Sequence, residues 1–325
     1  MTHAIRIHQT GGPEVMKWEE VAVAAPGATD VQIRHKAVGL NYIDTYHRSG
    51  LYALPMPSGI GLEAAGVVEA VGSGVADFKV GDRVAYCNGP VGAYAEVKNH
   101  PADRVVKIPD GITFEQAASM MLQGLTVQYL LRRMHYVPKS GDTVLWHAAA
   151  GGIGLIACQW ARALGVNLIG TVSTEEKAAL ARESGAAHTI LYSKDDFVAK
   201  VNEITGGKKV PIVYDSVGKD TFLKSLDCLQ VRGLMVIFGN SSGNAPPLET
   251  GILNTKGSLY VTRPSLNGYV AKRDELLAAS KELFDVVLSG KVKMEPRQKY
   301  ALKDAARAHA DLEARKTTGS TILVP

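Results

Sequence analysis

The strongest constraint on the fold is a change of rhythm near residue 140. From there, short apolar runs alternate with segments of helical period, a pattern that builds βαβ units around a mainly parallel sheet. The predicted strands are "TVLWH", "NLIGTV", "HTILY", "VPIVYDS", "LMVIFG" and "SLYVTR". Between the first two, Ile153, Ile156, Ala157, Trp160 and Leu164 recur at helical spacing, so this segment lays one face on the sheet. The junction from strand to helix reads "HAAAGGIG", His147 to Gly154.

Residues 1 to about 115 read differently. Short β-like pieces such as "VQIRHKAVGL" and "AGVVEAV" are separated by the turns "GSG", "GD" and "NGP", which predicts a compact, mostly β domain. "FEQAASMMLQGLTVQYLLRRM" then has helical periodicity and carries the chain into the alternating region. Two amphipathic stretches, "KRDELLAASKELFDVVLSG" and "LKDAARAHADLEARK", and an apolar "TILVP" follow Arg263. A chain of 325 residues that is 46% hydrophobic and 21% charged has apolar side chains enough for two cores, and disorder is not expected. The formal charge is only +4, with no basic block, so composition does not argue for nucleic acid. Cys87, Cys158 and Cys228 stand far apart and form no CxxC pair, which fits reduced thiols. No signal pattern and no apolar run near the roughly 20 residues of a membrane span appear. A cytoplasmic protein without membrane attachment is therefore expected.

At "HAAAGGIG" the fingerprint G-x-G-x-x-G appears as Ala148-x-x-Gly151-x-x-Gly154, with an extra Gly152. Small residues let the backbone approach a pyrophosphate, free amides at the helix N-terminus hold anions, and Gly154 allows close helix-to-sheet packing. A structural glycine-rich turn without a ligand would look the same in isolation; the strand before and the amphipathic helix after favour a dinucleotide. The next strand ends "GTVSTEEK", where Thr171, Val172 and Ser173 are uncharged. An NAD site places a carboxylate there for the ribose 2′-hydroxyl, and its absence removes an obstacle to the extra phosphate of NADP. Lys177 follows within a helical turn. Glu175 remains the alternative, as the ribose ligand of an NAD site. Ser173 and Glu176 also fit an S-x-x-E capping box, which predicts that Ser173 starts the helix.

Taken together, the motifs resemble those of the zinc-free quinone oxidoreductases, the zeta-crystallin-like branch of the medium-chain dehydrogenase/reductase superfamily. The resemblance rests on "GGPEV", "GLNYIDTYHRSGLY", "GLEAAGVVEAVGSGV", "GDRVAY", "GLTVQYLL", "HAAAGGIGLIACQWARALG", "YDSVG", "SLDCLQVRGLMVIFGNSSG", "LNTKGSLYVTRPSL" and "LKDAARAHADLEAR", in that order. It implies an α/β protein: a Rossmann doubly wound parallel sheet over residues 123–266, and a mostly β GroES-like catalytic domain from residues 1–122 and 267–325. It further implies NADPH as the cofactor, held in a cleft, and quinones as acceptors. By the same resemblance Gly151, Gly152 and Ile153 lie along the pyrophosphate, and Ser173, Lys177, Tyr192 and Arg315 surround the 2′-phosphate. Asn41, Tyr46, Thr126, Ser216, Phe238, Asn240, Ser241 and Arg263 fall where the family lines the ribose, nicotinamide and substrate. A homodimer joined through the edge strand "SLYVTR" is also implied.

Zinc-dependent relatives offer Cys, a His-Glu pair and a further Cys to a catalytic metal. Here Asn41 and Leu62-Glu63 stand at the matching places, and neither Asn nor Leu replaces a thiolate or imidazole on zinc. No metal is expected. His147 is read as a packing residue, His47 as one nearer the cleft, and Cys158 and Cys228 as core residues. Without a metal, reduction rests on positioning and on donors at the developing oxyanion, for which Asn41, Tyr46, Tyr52 and Arg263 are the catalytic candidates. Hydride, or electrons singly, would pass directly from NADPH to the quinone. An enone or 2-alkenal reductase is the close alternative. A cofactor-loaded binding protein, crystallin-like or RNA-binding, is the alternative of another class, and the sequence lacks the basic stripe that RNA binding would require.

Overall fold

The computed structural model describes residues 1–325, which separate into two compact units. One comprises Met1–Leu125, Val270–Leu288 and Met294–Pro325; the other comprises Thr126–Tyr269 with Ser289–Lys293. Gln159 holds the backbone of that last short segment: Lys293 N donates to Gln159 Oε1 at 2.8 Å and Gln159 Nε2 donates to the Lys293 carbonyl at 3.3 Å.

The second unit is a six-stranded parallel sheet. In spatial order its strands are His188–Leu191, Asn167–Val172, Thr143–Trp146, Val210–Asp215, Leu229–Ile237 and Tyr260–Thr262. In chain order that is 3-2-1-4-5-6, the doubly wound Rossmann arrangement, whose order reverses between the first and fourth strands. The predicted strands match these six within a few residues, and Leu229–Ile237 starts five residues earlier than its apolar run suggested. Its first half, Gln230 to Arg232, is exposed, so no apolar signal marked it. Leu145, Ile169, Ile190, Val213 and Met235 point to one shared core with Phe197, Val201 and Phe222 from the crossover segments.

The first unit has a larger, mostly antiparallel sheet in the order Gln298–Ala301, Thr321–Val324, Asp30–Leu40, Glu63–Val71, Arg83–Cys87 and Val105–Lys107, with Val97–Pro101 also paired to Asp30–Leu40. A small sheet joins Lys17–Val21, Thr2–Ile7 and Ser58–Gly59. Its core includes Ile5, Ile33, Val68, Tyr86 and Tyr94 from the N-terminal part and Leu302, Ala305 and Leu323 from the C-terminal part, so the tail completes a core begun some 300 residues earlier. The sheet carries a short helix, Tyr42–Ser49, directly after its long strand Asp30–Leu40. The helices Phe114–Arg132, Arg273–Leu288 and Ala305–Glu313 correspond to the three predicted helical stretches.

Candidate functional site

In the Rossmann unit His147 follows the strand Thr143–Trp146, and the helix Gly152–Ala163 begins five residues after it with Gly151 as its N-cap. The turn between them is tight. Ala148 takes a left-handed conformation, φ 57°, which is usually given to glycine, and Gly151 N donates to the Ala148 carbonyl at 3.0 Å. A Cβ on Gly154 would lie 2.5 Å from the Ala148 carbonyl oxygen, so only glycine permits this approach of helix to turn. No acidic residue occupies the first turn of the helix, leaving its N-terminal amides to attract an anion.

His147 is buried beneath this turn. Its ring nitrogens meet Thr171 Oγ1 at 2.9 Å and Ser225 Oγ at 2.8 Å, and its ring packs edge-on to Phe197 at 5.0 Å. It packs and supports. The next strand ends uncharged at Val172, and the helix Glu175–Glu183 is capped by Thr174, whose hydroxyl accepts from Lys177 N at 3.3 Å. Ser173 is therefore not the cap that its S-x-x-E spacing predicted. Thr174 stands in the extended N-cap conformation instead, φ −137°, so Ser173 lies outside the helix with its carbonyl accepting from Ser193 Oγ at 3.0 Å. Glu175 is exposed and lies 3.6 Å from Lys194 Nζ.

The other candidates of this unit gather at the same carboxyl edge of the sheet. Tyr192 directly follows His188–Leu191, Ser216 follows Val210–Asp215, and Phe238, Asn240 and Ser241 follow Leu229–Ile237. Asp215, fully buried, organises one of these loops: Oδ1 accepts from Val217 N at 2.7 Å and Gly218 N at 3.0 Å, and Oδ2 accepts from Thr221 Oγ1 at 2.7 Å. Ser241 N donates to the Ser216 carbonyl at 3.1 Å, tying the two loops together. Arg263 reaches back to the same place, with Nη1 3.2 Å from the Gly239 carbonyl. Phe238 packs 5.5 Å from the Trp146 ring, and Thr126 is buried within the helix Phe114–Arg132.

In the first unit, Asn41 caps the helix Tyr42–Ser49 and is buried. Its backbone N donates to Asp44 Oδ2 at 2.9 Å, and the Asp44 N–H faces the Asn41 side chain in return, the two halves of an Asn-x-x-Asp capping box. Its carboxamide Nδ2 donates to Glu63 Oε2 at 2.7 Å, and its Oδ1 accepts from Gln123 Nε2 at 3.1 Å. Tyr46 and Tyr52 meet edge to face at 5.3 Å, with Tyr42 5.5 Å beyond Tyr46, making an aromatic wall on one side of the helix. His47 is buried against Tyr52, 6.0 Å between rings, and burial holds its pKa below the usual imidazole value. Arg315 ends the helix Ala305–Glu313 in a left-handed conformation, φ 58°.

Several residues escaped the sequence reading. Asp44 Oδ2 also accepts from Tyr94 OH at 2.9 Å; Tyr94 OH lies 3.0 Å from His309 Nε2; Arg48 Nη1 lies 3.0 Å from His309 Nδ1, and Arg48 Nη2 donates to Glu313 Oε1 at 2.7 Å. Because arginine only donates, His309 Nδ1 is the acceptor and Nε2 carries the proton, so Tyr94 accepts from His309 and donates to Asp44. Burial pushes Asp44 up to about 7 and Glu63 up to about 8, and pulls His309 down to about 3. Only the N-x-x-D spacing of "NYID" offered a local signal for this cluster.

Residues 27–110 match the alcohol dehydrogenase GroES-like domain, and residues 152–284 match the family described as zinc-binding dehydrogenase. The chain is 56% identical to a quinone oxidoreductase of Pseudomonas aeruginosa, with all of both chains covered. The chain belongs to the quinone oxidoreductase family. Among solved structures, the Escherichia coli quinone oxidoreductase complexed with NADPH is 56% identical, with a TM-score of 0.98 over 99% of this chain and 100% of that one. A 2-haloacrylate reductase of Burkholderia is 48% identical, covering 100% of this chain and 99% of its own length.

The description of one matching domain raises zinc, and the donor set here does not fit it. No three His, Cys, Asp or Glu side chains are grouped to hold a metal ion. Asn41 and Leu62 stand beside Glu63, whose two oxygens already accept from Asn41 Nδ2 and from Leu122 N at 2.8 Å. Burial pushes the Cys158 and Cys228 thiols up to about 12, which leaves them inert as nucleophiles or ligands near neutrality. No helix of this quinone oxidoreductase family member is long and apolar enough to cross a membrane.

Proposed function

We propose that the protein is an NADPH-dependent quinone oxidoreductase that works without a metal. The observation that carries this reading is the pairing of the glycine turn with a second strand that ends uncharged, in a chain alike over its full length to quinone oxidoreductases. The turn suits NADPH: a pyrophosphate would run along Gly151, Gly152 and Ile153, with the helix N-terminal amides of Gly152 and Ile153 toward it, and Gly154 lets the helix pack closely on the turn. Ser173, Lys177, Tyr192 and Arg315 would take the 2′-phosphate, and Thr126, Ser216, Phe238, Asn240 and Ser241 would line the ribose and nicotinamide. When bound, NADPH supplies the hydride; the quinone gains that hydride and one proton to become the hydroquinone.

The chain's own part is to orient and to stabilise charge. Asn41 and Arg263 would offer donors to the oxygen that becomes negative, and the rings of Tyr46 and Tyr52 would hold a flat acceptor. The 2-haloacrylate reductase relative favours a second reading, reduction of an activated double bond, which makes the same demand for an oxyanion donor. We further propose a homodimer. The acceptor is tested by NADPH oxidation against a panel of quinones, enones and 2-haloacrylates, with Lys177→Ala in parallel. Quinones should turn over fastest, and Lys177→Ala should weaken NADPH by about tenfold, one charge-assisted contact, while leaving NADH unchanged. Turnover confined to haloacrylates would transfer the assignment to the second reading.

A further inference from the structure

Asn41 sits in a buried row of four side chains whose hydrogen bonds all run one way. Ser320 Oγ donates to Gln123 Oε1 at 2.7 Å, Gln123 Nε2 to Asn41 Oδ1 at 3.1 Å, and Asn41 Nδ2 to Glu63 Oε2 at 2.7 Å. Glu63 Oε1 is taken by Leu122 N at 2.8 Å, a backbone donor that cannot reverse. All four side chains are buried, Glu63 completely. A Cβ on Gly39 would lie 2.2 Å from Glu63 Oε2, so the carboxyl occupies space that only glycine leaves open at that position.

Two members of this row, Asn41 and Gln123, are carboxamides with a donor end and an acceptor end. Either could sit turned by 180° at the same shape. What holds them in this sense is Glu63, aided at Asn41 by the helix cap, where the Asp44 N–H faces the Asn41 side chain: an ionised carboxylate only accepts, so Asn41 must present Nδ2 to it, Gln123 must present Nε2 to Oδ1, and Ser320 must donate. Ser320 cannot fix the sense, because a hydroxyl both donates and accepts. We propose that Glu63 is a positioning residue that sets the polarity of this row, and thereby decides where Asn41 offers its remaining N–H and where its remaining lone pair. Turning Asn41 over would exchange the two, putting an acceptor where the developing oxyanion needs a donor. The inference rests on the reading of Asn41 as a residue of the acceptor site.

Protonated Glu63 reverses the row. Its O–H can be satisfied by Asn41 Oδ1, after which Asn41 Nδ2 donates to Gln123 Oε1 and Gln123 Nε2 to Ser320. The titratable groups around Glu63 are Asp44 on the helix Tyr42–Ser49, Tyr86 and Cys87 on the neighbouring strand, and Tyr94. Burial and the charge of Asp44 raise its pKa; its own hydrogen bonds lower it.

Glu63→Gln mimics the protonated form. Its Oε1 keeps Leu122 N, its Nε2 faces Asn41, and every bond of the row can be made in the reversed sense. Three variants separate polarity from packing: Glu63→Gln, Gln123→Glu and the two combined. Glu63→Gln should fold with an almost unchanged thermal midpoint and bind NADPH normally, yet at about pH 9, where native Glu63 is ionised, lose about 10- to 100-fold in kcat. Its kcat should also lack the rise with pH that deprotonation of Glu63 gives the native chain. Gln123→Glu puts acceptor-only groups on both sides of Asn41 and should lower the midpoint. The double variant should recover that midpoint but not kcat. A Glu63→Gln protein with native kcat and native pH profile, or a double variant that regains kcat together with stability, would overturn the proposal. Asn41→Ala tells the two failures apart: native kcat there would remove Asn41 from the acceptor site, whereas a loss there with native Glu63→Gln would refute the polarity argument alone.

Discussion

Two residues of the proposed cofactor site, Ala148 and Arg315, hold left-handed backbones that glycine would occupy with less strain. Such strain persists where the surroundings impose it, and it gathers at ligand sites. For Arg315 the consequence is separable. It lies just past the helix Ala305–Glu313, where a glycine commonly ends a helix, so Arg315→Gly should relieve about 1 kcal/mol of strain. The same variant should weaken NADPH through the loss of its guanidinium. Urea unfolding and fluorescence titration check the two halves; a variant that is both less stable and unchanged in NADPH binding would contradict the assignment. Glu63 gives a second residue-scale expectation. Its folded pKa is raised to about 8 from 4.5, so between these values the folded chain holds a proton that the unfolded chain has released, and its contribution to stability is lost as pH rises. The unfolding free energy of the native chain should fall relative to that of Glu63→Gln between about pH 4.5 and 8, as read from urea midpoints across that range.

At the scale of elements, the helix Tyr42–Ser49 is only eight residues long and cannot hold itself in water. Asp44 at its start and Arg48 at its end are both bonded into the Tyr94–His309 cluster, which attaches it to the C-terminal helix Ala305–Glu313. Tyr94→Phe removes one hydroxyl that serves both Asp44 and His309, and should cost about 1–3 kcal/mol in urea unfolding. A cost near zero would mean that the helix stands on its apolar contacts. This division explains what the sequence revealed. The six strands and the glycine turn were legible because period, turn residues and the strand-helix junction are local signals. The helix cap at Thr174 was missed because two adjacent hydroxyls compete for one position and their backbone angles decide. The Glu63 row and the Arg48 cluster were hidden because their partners stand 22 to 265 residues apart.

At the scale of the whole molecule, the strand Tyr260–Thr262 closes one edge of the Rossmann sheet, with Tyr260 about half exposed. An unpaired β-prone edge invites a partner, and a second copy of the same strand satisfies it symmetrically. Light scattering at micromolar concentration should return twice the 34.7 kDa of the chain, and Val261→Pro should halve it because proline interrupts the N–H ladder of this short edge strand. A native mass of one chain would refute the dimer. The proposed function rests on NADPH and on no metal, and one assay addresses both: steady-state oxidation of NADPH and of NADH with a quinone acceptor, before and after exhaustive chelation. NADPH should be preferred by about tenfold or more in kcat/KM, with no loss on chelation. Equal use of NADH, or activity that vanishes with the chelator and returns with zinc, would contradict it.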